Sequence, residues 1–316
     1  MHSVLDPASP QARAVAHLWW WFFGVGAAVW LAVMATMLLS LRGRRAVRGA
    51  DDLMQPAPGV EARVERLVKG ATFVTVLILL GFLTYDFSVG RILAQQPTNP
   101  LTIQLIGHQW WWEAQYEDQD LTKRIVTANE MHVPVGQPVR FILTSRDVIH
   151  SFWVPNLTGK RDLIPGYQST IWFQADTAGT YRGQCAEFCG LQHAKMALTI
   201  IAQPKAQYQL WFAAAVSSQT EPTDSTLLYG ERIFMTTGCS VCHAISGTEA
   251  RATVGPNLTH FKSRTMIAAG TLPNTRENVA RWVLNPQVIK PGTQMPPSPL
   301  NTAQLSALLT YLETLK

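Results

Sequence analysis

The stretch GQCAEFCGLQHAKM at residues 183–196 puts two cysteines, a glutamate, a histidine and a methionine into fourteen positions. Thiolate, carboxylate, imidazole and thioether all bind metals. Cys185, Glu187, Cys189, His193 and Met196 could therefore form a zinc clip, a one-copper site or a site with two metals, and the cysteine pair alone could be a redox disulfide. Zinc accepts two cysteines and two histidines in a closed tetrahedral shell but seldom uses methionine. Thiolate and thioether together favour copper. One-copper electron carriers use one cysteine, two histidines and a weak methionine; the extra thiolate here would let two coppers share two bridging sulfurs. Either copper reading needs a second histidine. His150, at a strand end in RDVIHSFWVPN and 35 residues before Cys185, is the candidate, with a hydrogen-bonded core histidine as its competing role. His2, His17, His108, His132 and His260 read as structural or solvated.

The second constellation is CSVCH at 239–243, the C-x-x-C-H attachment signal for c-type haem. Cys239 and Cys242 would form thioethers to the haem vinyl groups, and His243 would lie beneath the iron. A redox cysteine pair followed by a chance histidine is the alternative, disfavoured by the helical context and the lack of a thioredoxin-like βαβ pattern. Methionine as second axial ligand raises the potential of such a haem. Met295, in the proline-stiffened PGTQMPP loop 52 residues after His243, is the candidate; Met235 and Met266 lie in stretches read as helical and belong to the core. Four cysteines in an oxidising compartment would suggest two disulfides, but each pair sits inside its own metal or cofactor pattern. This C-terminal part, with its GPNL turn at 255–258, resembles class I cytochromes c.

Very unlike elements must position these groups. Residues 18–41 contain no charge, and about 20 apolar residues at ~1.5 Å rise cross a ~30 Å hydrocarbon core. A second apolar run starts at Gly70, so residues 1–95 are predicted to form a transmembrane hairpin with helices at about 18–41 and 70–91. The first run is too long for a signal-peptide core and lacks an A-x-A site, which marks it as an anchor. Arg42, Arg44, Arg45, Arg48, Arg63, Arg66 and Lys69 lie between the runs, against Arg13 alone before them. That bias keeps the loop inside and puts both termini, and everything after residue 95, on the periplasmic or outer side of a bacterial inner membrane.

Residues 96–203 hold runs such as LTIQLIGHQWWWEAQY, HVPVGQPVRFILTS and YQSTIWFQA, punctuated by Pro, Gly and Asn. Alternation with such punctuation predicts an all-β antiparallel sandwich or barrel. Residues 206–216 suggest a short helix and SSQTEPTD at 217–224 a flexible linker, so 204–224 reads as a connection. From 225 to 316 the period turns helical, predicting a small all-α domain. Asn301 is the N-cap candidate of its last helix, with Leu305, Leu308, Leu309 and Leu312 on one face. Residues 101–203 carry eight basic and nine acidic side chains, while 225–316 carry eight basic and four acidic. The helical part is thus cationic and suited to an acidic electron donor. No basic stripe with interleaved aromatics points to nucleic acid.

In this order after two anchors, GHQWWWEAQY, HSFWVPNLTGKRDLIPG and GQCAEFCGLQHAKM resemble subunit II of haem–copper cytochrome c oxidases. The fused haem domain resembles the caa3 type, and the likeness covers nearly the whole chain. The resemblance implies a cupredoxin sandwich with a binuclear CuA centre. Cys185 and Cys189 would bridge the coppers, with His193 and the Glu187 carbonyl on one and His150 and Met196 on the other. It further implies a magnesium reached by the Glu187 side chain at the subunit I interface. Trp110 matches the family tryptophan where electrons come in, a membrane-belt aromatic being the other reading of the WWW run. Glu65 falls where the family has a carboxylate at the mouth of a proton path, although the usual flanking Trp and Pro are missing.

The implied function is electron delivery from an external donor, a cytochrome c or the upstream quinol-oxidising complex. Electrons would pass through haem c and CuA to haem a of subunit I, where haem a3 and CuB reduce oxygen with proton pumping. Subunit III and membrane lipid are the other implied partners. Because protein groups fill every CuA position, oxygen chemistry is expected in subunit I. The CuA subunit of a nitric oxide reductase is the alternative. Nitrous oxide reductase fits poorly with two anchors and the aromatic strand. A copper chaperone with a C-x-x-x-C motif fits poorly with the β-rich pattern and the upstream His150.

Overall fold

The computed structural model describes residues 3–42, 59–117 and 124–316; His2 and the loop residues Arg44, Arg45 and Arg48 lie outside them. The chain forms two compact units, Arg13–Gln95 and, separately, Gln96–Lys316 with the residues up to Ala12.

Helices α1 (Pro10–Arg42) and α2 (Val60–Ala94) are longer than the predicted spans at both ends. Apolar windows mark only the part that needs lipid. Arg63, Glu65, Arg66 and Lys69 are good helix formers that continue the same helix into a polar medium. Glu65 pairs with Lys69 one turn on, at 2.6 Å. Both helices are long and apolar enough to cross a membrane, and the apolar windows are 0% buried within the protein. Surface of that kind is stable in hydrocarbon rather than water. Phe22 stacks on Phe82, ring centroids 4.0 Å apart, across the hairpin.

Among the described residues ten strands build the sandwich: β1 (Leu101–His108), β2 (Trp111–Glu117), β3 (Ile125–Ala128), β4 (Glu130–Pro134), β5 (Pro138–Ser145), β6 (His150–Trp153), β7 (Arg161–Leu163), β8 (Ser169–Gln174), β9 (Gly179–Cys185) and β10 (Ala197–Gln203). One sheet has the order β3-β2-β1-β5-β8 and the other β4-β10-β9-β6-β7. Alternate residues face inward, as along β5, where Val139, Phe141 and Leu143 are fully buried. They meet Ile103, Phe152, Phe173 and Ile200 in a single core. The sheets are not purely antiparallel: β1 runs parallel to β5, and β4 parallel to β10. Alternation fixes which face is buried but carries no signal for a neighbour's direction.

Strand pairing brings distant sequence together. β6 pairs with β9 so that Phe152 lies opposite Cys185, and β10 pairs with the other edge of β9. The starts of β6 and β10 and the end of β9 therefore meet at one end of the sandwich. Helix α3 (Lys205–Val216) packs back on this domain, with Trp211 stacked on His132 at 4.3 Å. The predicted flexible linker is held at two points. The Gln219 backbone N–H donates to Ser246 O at 2.9 Å, and Asp224 caps the next helix through Thr226 N and Leu227 N. Composition marked these residues as linker; the partner of Gln219 comes from elsewhere in the fold, while Asp224 acts as a local N-cap.

The helical domain contains α4 (Ser225–Thr236), a short hairpin of β11 (Met266–Ile267) and β12 (Leu272–Pro273), α5 (Arg276–Leu284), α6 (Pro286–Ile289) and α7 (Thr302–Leu312). Asn301 caps α7 in a full capping box with Gln304. Leu308, Leu309 and Leu312 are buried with Phe234 of α4, and Leu305 packs at the edge. Met235 lies in α4 as expected, but Met266 opens β11 rather than a helix. Its neighbours Ala268 and Ala269 turn left-handed, which ends any helical period there.

Candidate metal centre and haem pocket

Three side chains and one carbonyl converge on Cys185 and Cys189, whose sulfurs are 3.7 Å apart. Cys185 Sγ lies 3.8 Å from His150 Nδ1 and 3.2 Å from the Glu187 carbonyl oxygen. Cys189 Sγ lies 3.5 Å from His193 Nδ1 and 3.8 Å from Met196 Sδ. β6, β9 and β10 supply or flank these groups, and a short 3-10 turn at His193–Lys195 swings His193 round. Both cysteines, His150 and Met196 are buried. The hydrogen bond from Cys189 pulls the Cys185 thiol down to about 4, with His150 helping against burial, and that thiolate pushes Cys189 well up. This is a donor set of two sulfurs to share, with an imidazole on each side, a thioether and a carbonyl. It fits two coppers without an open position.

Asp147 orients the site from outside. Its Oδ1 lies 2.8 Å from His150 Nε2, which leaves Nδ1 for the thiolates, and its Oδ2 accepts the Gln109 backbone N–H at 2.6 Å. Burial pushes this carboxyl up, but the hydrogen bonds from His150, Gln109 and Val148 win and hold it below the usual range. Burial likewise pulls His150 down, and its contacts with Asp147 and Cys185 more than offset that. Gly107 gives the ring its room: a Cβ there would stand 2.7 Å from His150 Cδ2.

In the helical domain a cavity of about 270 Å³ is walled by apolar side chains including Phe234, Leu258, Val279 and Trp282, with Cys239, Cys242, His243 and Met295 in its lining. His243 Nδ1 lies 2.7 Å from the Pro256 carbonyl, which orients the ring and leaves Nε2 as the ligating nitrogen. Burial lowers its pKa, so the imidazole is neutral. Gly255 backs the ring, where a Cβ would come within 2.6 Å. The Met295 loop is templated by Gln287, whose Nε2 donates to the carbonyls of Thr293 at 2.7 Å and Met295 at 3.0 Å. Its Oε1 accepts Gly292 N–H at 2.8 Å. Arg264 also lines the cavity. Burial lowers its pKa to about 10, so it stays cationic, and its Nε has no hydrogen-bond partner among the described residues. An apolar slot with two thiols, a neutral imidazole, a thioether and a guanidinium with a spare donor fits a c-type haem with its propionates.

Two family models match the chain: cytochrome c oxidase subunit II, periplasmic domain, over residues 119–203, and cytochrome c over residues 227–316. Cytochrome c oxidase subunit 2 of Alkalihalophilus pseudofirmus is 34% identical over 322 residues, across 99% of this chain and 91% of that protein. The chain belongs to the cytochrome c oxidase subunit II family. Subunit 2 of Bacillus sp. (strain PS3) is 33% identical over 230 residues, covering 69% of this chain and 63% of that one. Among solved structures, the periplasmic domain of subunit II (CoxB) of Bradyrhizobium japonicum is 33% identical, covering 38% of this chain and 96% of that chain at a TM-score of 0.36.

This subunit II is thus a membrane component of a haem–copper oxidase, partnered by subunit I, with a copper-type sandwich and a fused cytochrome c domain that fits the caa3 type. The ligand candidates read from the sequence lie in two groups: His150, Cys185, Glu187, Cys189, His193 and Met196 in the sandwich, and Cys239, Cys242, His243 and Met295 around the cavity of the helical domain. Trp110 bridges them rather than facing solvent: it is 8% exposed, its Nε1 donates to the Cys189 carbonyl at 2.9 Å, and it lines the haem cavity. Glu65 lies on α2, outside both sites. The remaining described histidines behave structurally or lie exposed. His108 meets Glu113 at 3.1 Å, His132 meets Gln203 at 2.9 Å, His260 contacts two carbonyls, and His17 is exposed. Sequence reasoning missed Asp147 and Gln287. The spacing of Asp147 three residues before His150 is the one local signal that could have found either.

Proposed function

We propose that this subunit II receives electrons from an external donor at a covalently held haem c, passes them to a binuclear CuA centre, and delivers them to haem a of subunit I. Oxygen is reduced there with coupled proton pumping. The observation that carries the reading is the convergence of His150, Glu187 O, His193 and Met196 on the Cys185–Cys189 pair at 3.2–3.8 Å. Two coppers sharing thiolates spread one charge over both metals, so one-electron transfer needs little rearrangement. Cys185 and Cys189 would hold the two coppers together with His193, the Glu187 carbonyl, His150 and Met196. The Glu187 side chain holds magnesium at the subunit I interface.

Cys239 and Cys242 would hold the haem covalently, and His243 and Met295 would serve as its iron ligands. Trp110 joins the two sites, since its indole lines the haem cavity and its N–H meets the carbonyl of a bridging cysteine. Both folded domains face the periplasm, as the basic loop between the anchors requires. Subunit III, membrane lipid and a cytochrome c or quinol-oxidising donor complete the set of partners. Metal analysis with visible and near-infrared spectra of the purified complex tests this. Two coppers and one haem c per chain are expected, with Cys185→Ser abolishing the near-infrared copper band and sparing the haem c spectrum. A Cys185→Ser protein with a normal copper band would sink the assignment.

A further inference from the structure

We infer that Lys290 is a positioning residue that locks the haem domain over Trp110, so that the copper domain takes electrons from its own haem and is closed to a separate protein donor. This rests on the electron-transfer reading above. Lys290 follows α6 and is 3% exposed. Its Nζ donates to the carbonyls of Trp110 at 2.8 Å, Lys195 at 2.9 Å and Ala268 at 3.4 Å. The first two belong to the sandwich and the third to the helical domain. One ammonium therefore ties the tryptophan's own backbone, the copper loop and the haem domain together. Burial and the nearby Lys195 charge pull its pKa down to about 7. Three converging carbonyls oppose that, because only the ammonium can donate to all three. An interior charge with such a set of acceptors is expensive unless the contact it makes is used.

The neighbouring contacts act in the same direction. Gln192 Nε2 donates to Pro291 O at 2.8 Å and Lys195 Nζ to Ile289 O at 2.5 Å, both from the loop that carries His193. On the far side of Lys290, Ala197 N–H donates to Ala269 O at 3.0 Å. Ala268 and Ala269 have φ of 51° and 55°, a left-handed conformation that L-residues seldom take. Those two residues present their carbonyls to Lys290 and Ala197, so the unfavourable backbone is coupled to the contact between domains. A second anchor lies away from the copper: Glu130 Oε2 accepts Thr265 N–H at 3.0 Å and Thr265 Oγ1 at 2.5 Å.

The test uses the full-length subunit in its complex, carrying its metals and haem, with Lys290→Met, Lys290→Arg and, at the second anchor, Thr265→Val. In Lys290→Met, amide hydrogen exchange over residues 107–112 and 193–197 should be at least tenfold faster than in wild type. Haem-to-copper electron transfer should slow at least tenfold, and reduction of the copper by an added soluble cytochrome c should rise, with both optical spectra unchanged. Lys290→Arg should restore part of the protection, and Thr265→Val should raise exchange over the same segments. Wild-type exchange and wild-type haem-to-copper rates in Lys290→Met overturn the inference. If Lys290→Met does not accumulate, unchanged exchange in Thr265→Val together with wild-type donor selectivity in Lys290→Arg overturns it instead. Exchange is read without reference to the metals. A wild-type protein lacking the copper band would therefore defeat the functional reading while the lock is still measured.

Discussion

Asp147 makes hydrogen bonds to a ring nitrogen of His150 and to the backbone N–H of Gln109, so one carboxylate sets both the imidazole and the turn that carries Trp110. Groups that orient a metal-bound histidine typically change metal affinity by about 10–100-fold when removed. Asp147→Ala should therefore weaken copper retention by about that factor, read by chelator competition and the near-infrared band, while haem c content stays at the wild-type level. At this scale the sequence was informative wherever chemistry is local. Cys185, Cys189, His193 and Met196 declare themselves by type and spacing, and C-x-x-C-H does the same for Cys239, Cys242 and His243. Asp147 and Gln287 act on a ligand or a loop rather than on a metal; the spacing of Asp147 from His150 is its one local mark, and Gln287 has none. His150 could be proposed as a ligand, but its position beside Cys185 required the β6–β9 pairing.

The elements show what hydropathy can and cannot carry. Alternating burial and helical periodicity gave the sandwich and the C-terminal helices, and the apolar runs gave α1 and α2. Strand direction, the left-handed Ala268–Ala269 turn and the tie at Gln219 depend on partners far away in sequence, so they stayed hidden. The α6–Met295 segment illustrates how an element positions a ligand. Gln287, on a four-residue helix, makes three hydrogen bonds to the loop that follows. Replacing it with Leu keeps its bulk and removes all three. The expected outcome is a partly released Met295, seen as a lower haem c midpoint potential in a redox titration and a weaker methionine-ligation band. Copper content should not change.

Across the whole unit, sandwich and helical domain meet through a few polar contacts, and one of them is sensitive to acid. Glu130 is buried, which pushes its pKa up, but the neighbouring His132 imidazole, 3.8 Å from its Oε1, and the hydrogen bonds from Thr265 prevail and hold it below the ordinary carboxylate range, with cationic Arg264 nearby. A carboxyl whose folded value lies below its free value stabilises the folded contact fully above the free value and loses that contribution as pH falls through the lowered one. Acidification below about pH 4 should thus raise hydrogen exchange at residues 265–270, and Glu130→Gln should remove that pH step. The connection between the domains has a further consequence. A flexible segment of eight residues, 217–224, spans about 15 Å and would hold its two ends at an effective concentration on the order of millimolar. Pinning at Gln219 and Asp224 shortens the free part further. The haem domain therefore never has to find the copper domain by diffusion, and a handful of hydrogen bonds is enough to keep it seated. A freely diffusing rival would have to match that local concentration before it could compete for Trp110, so on the proposed route the supply of electrons would be set by how fast an outer donor reaches the haem.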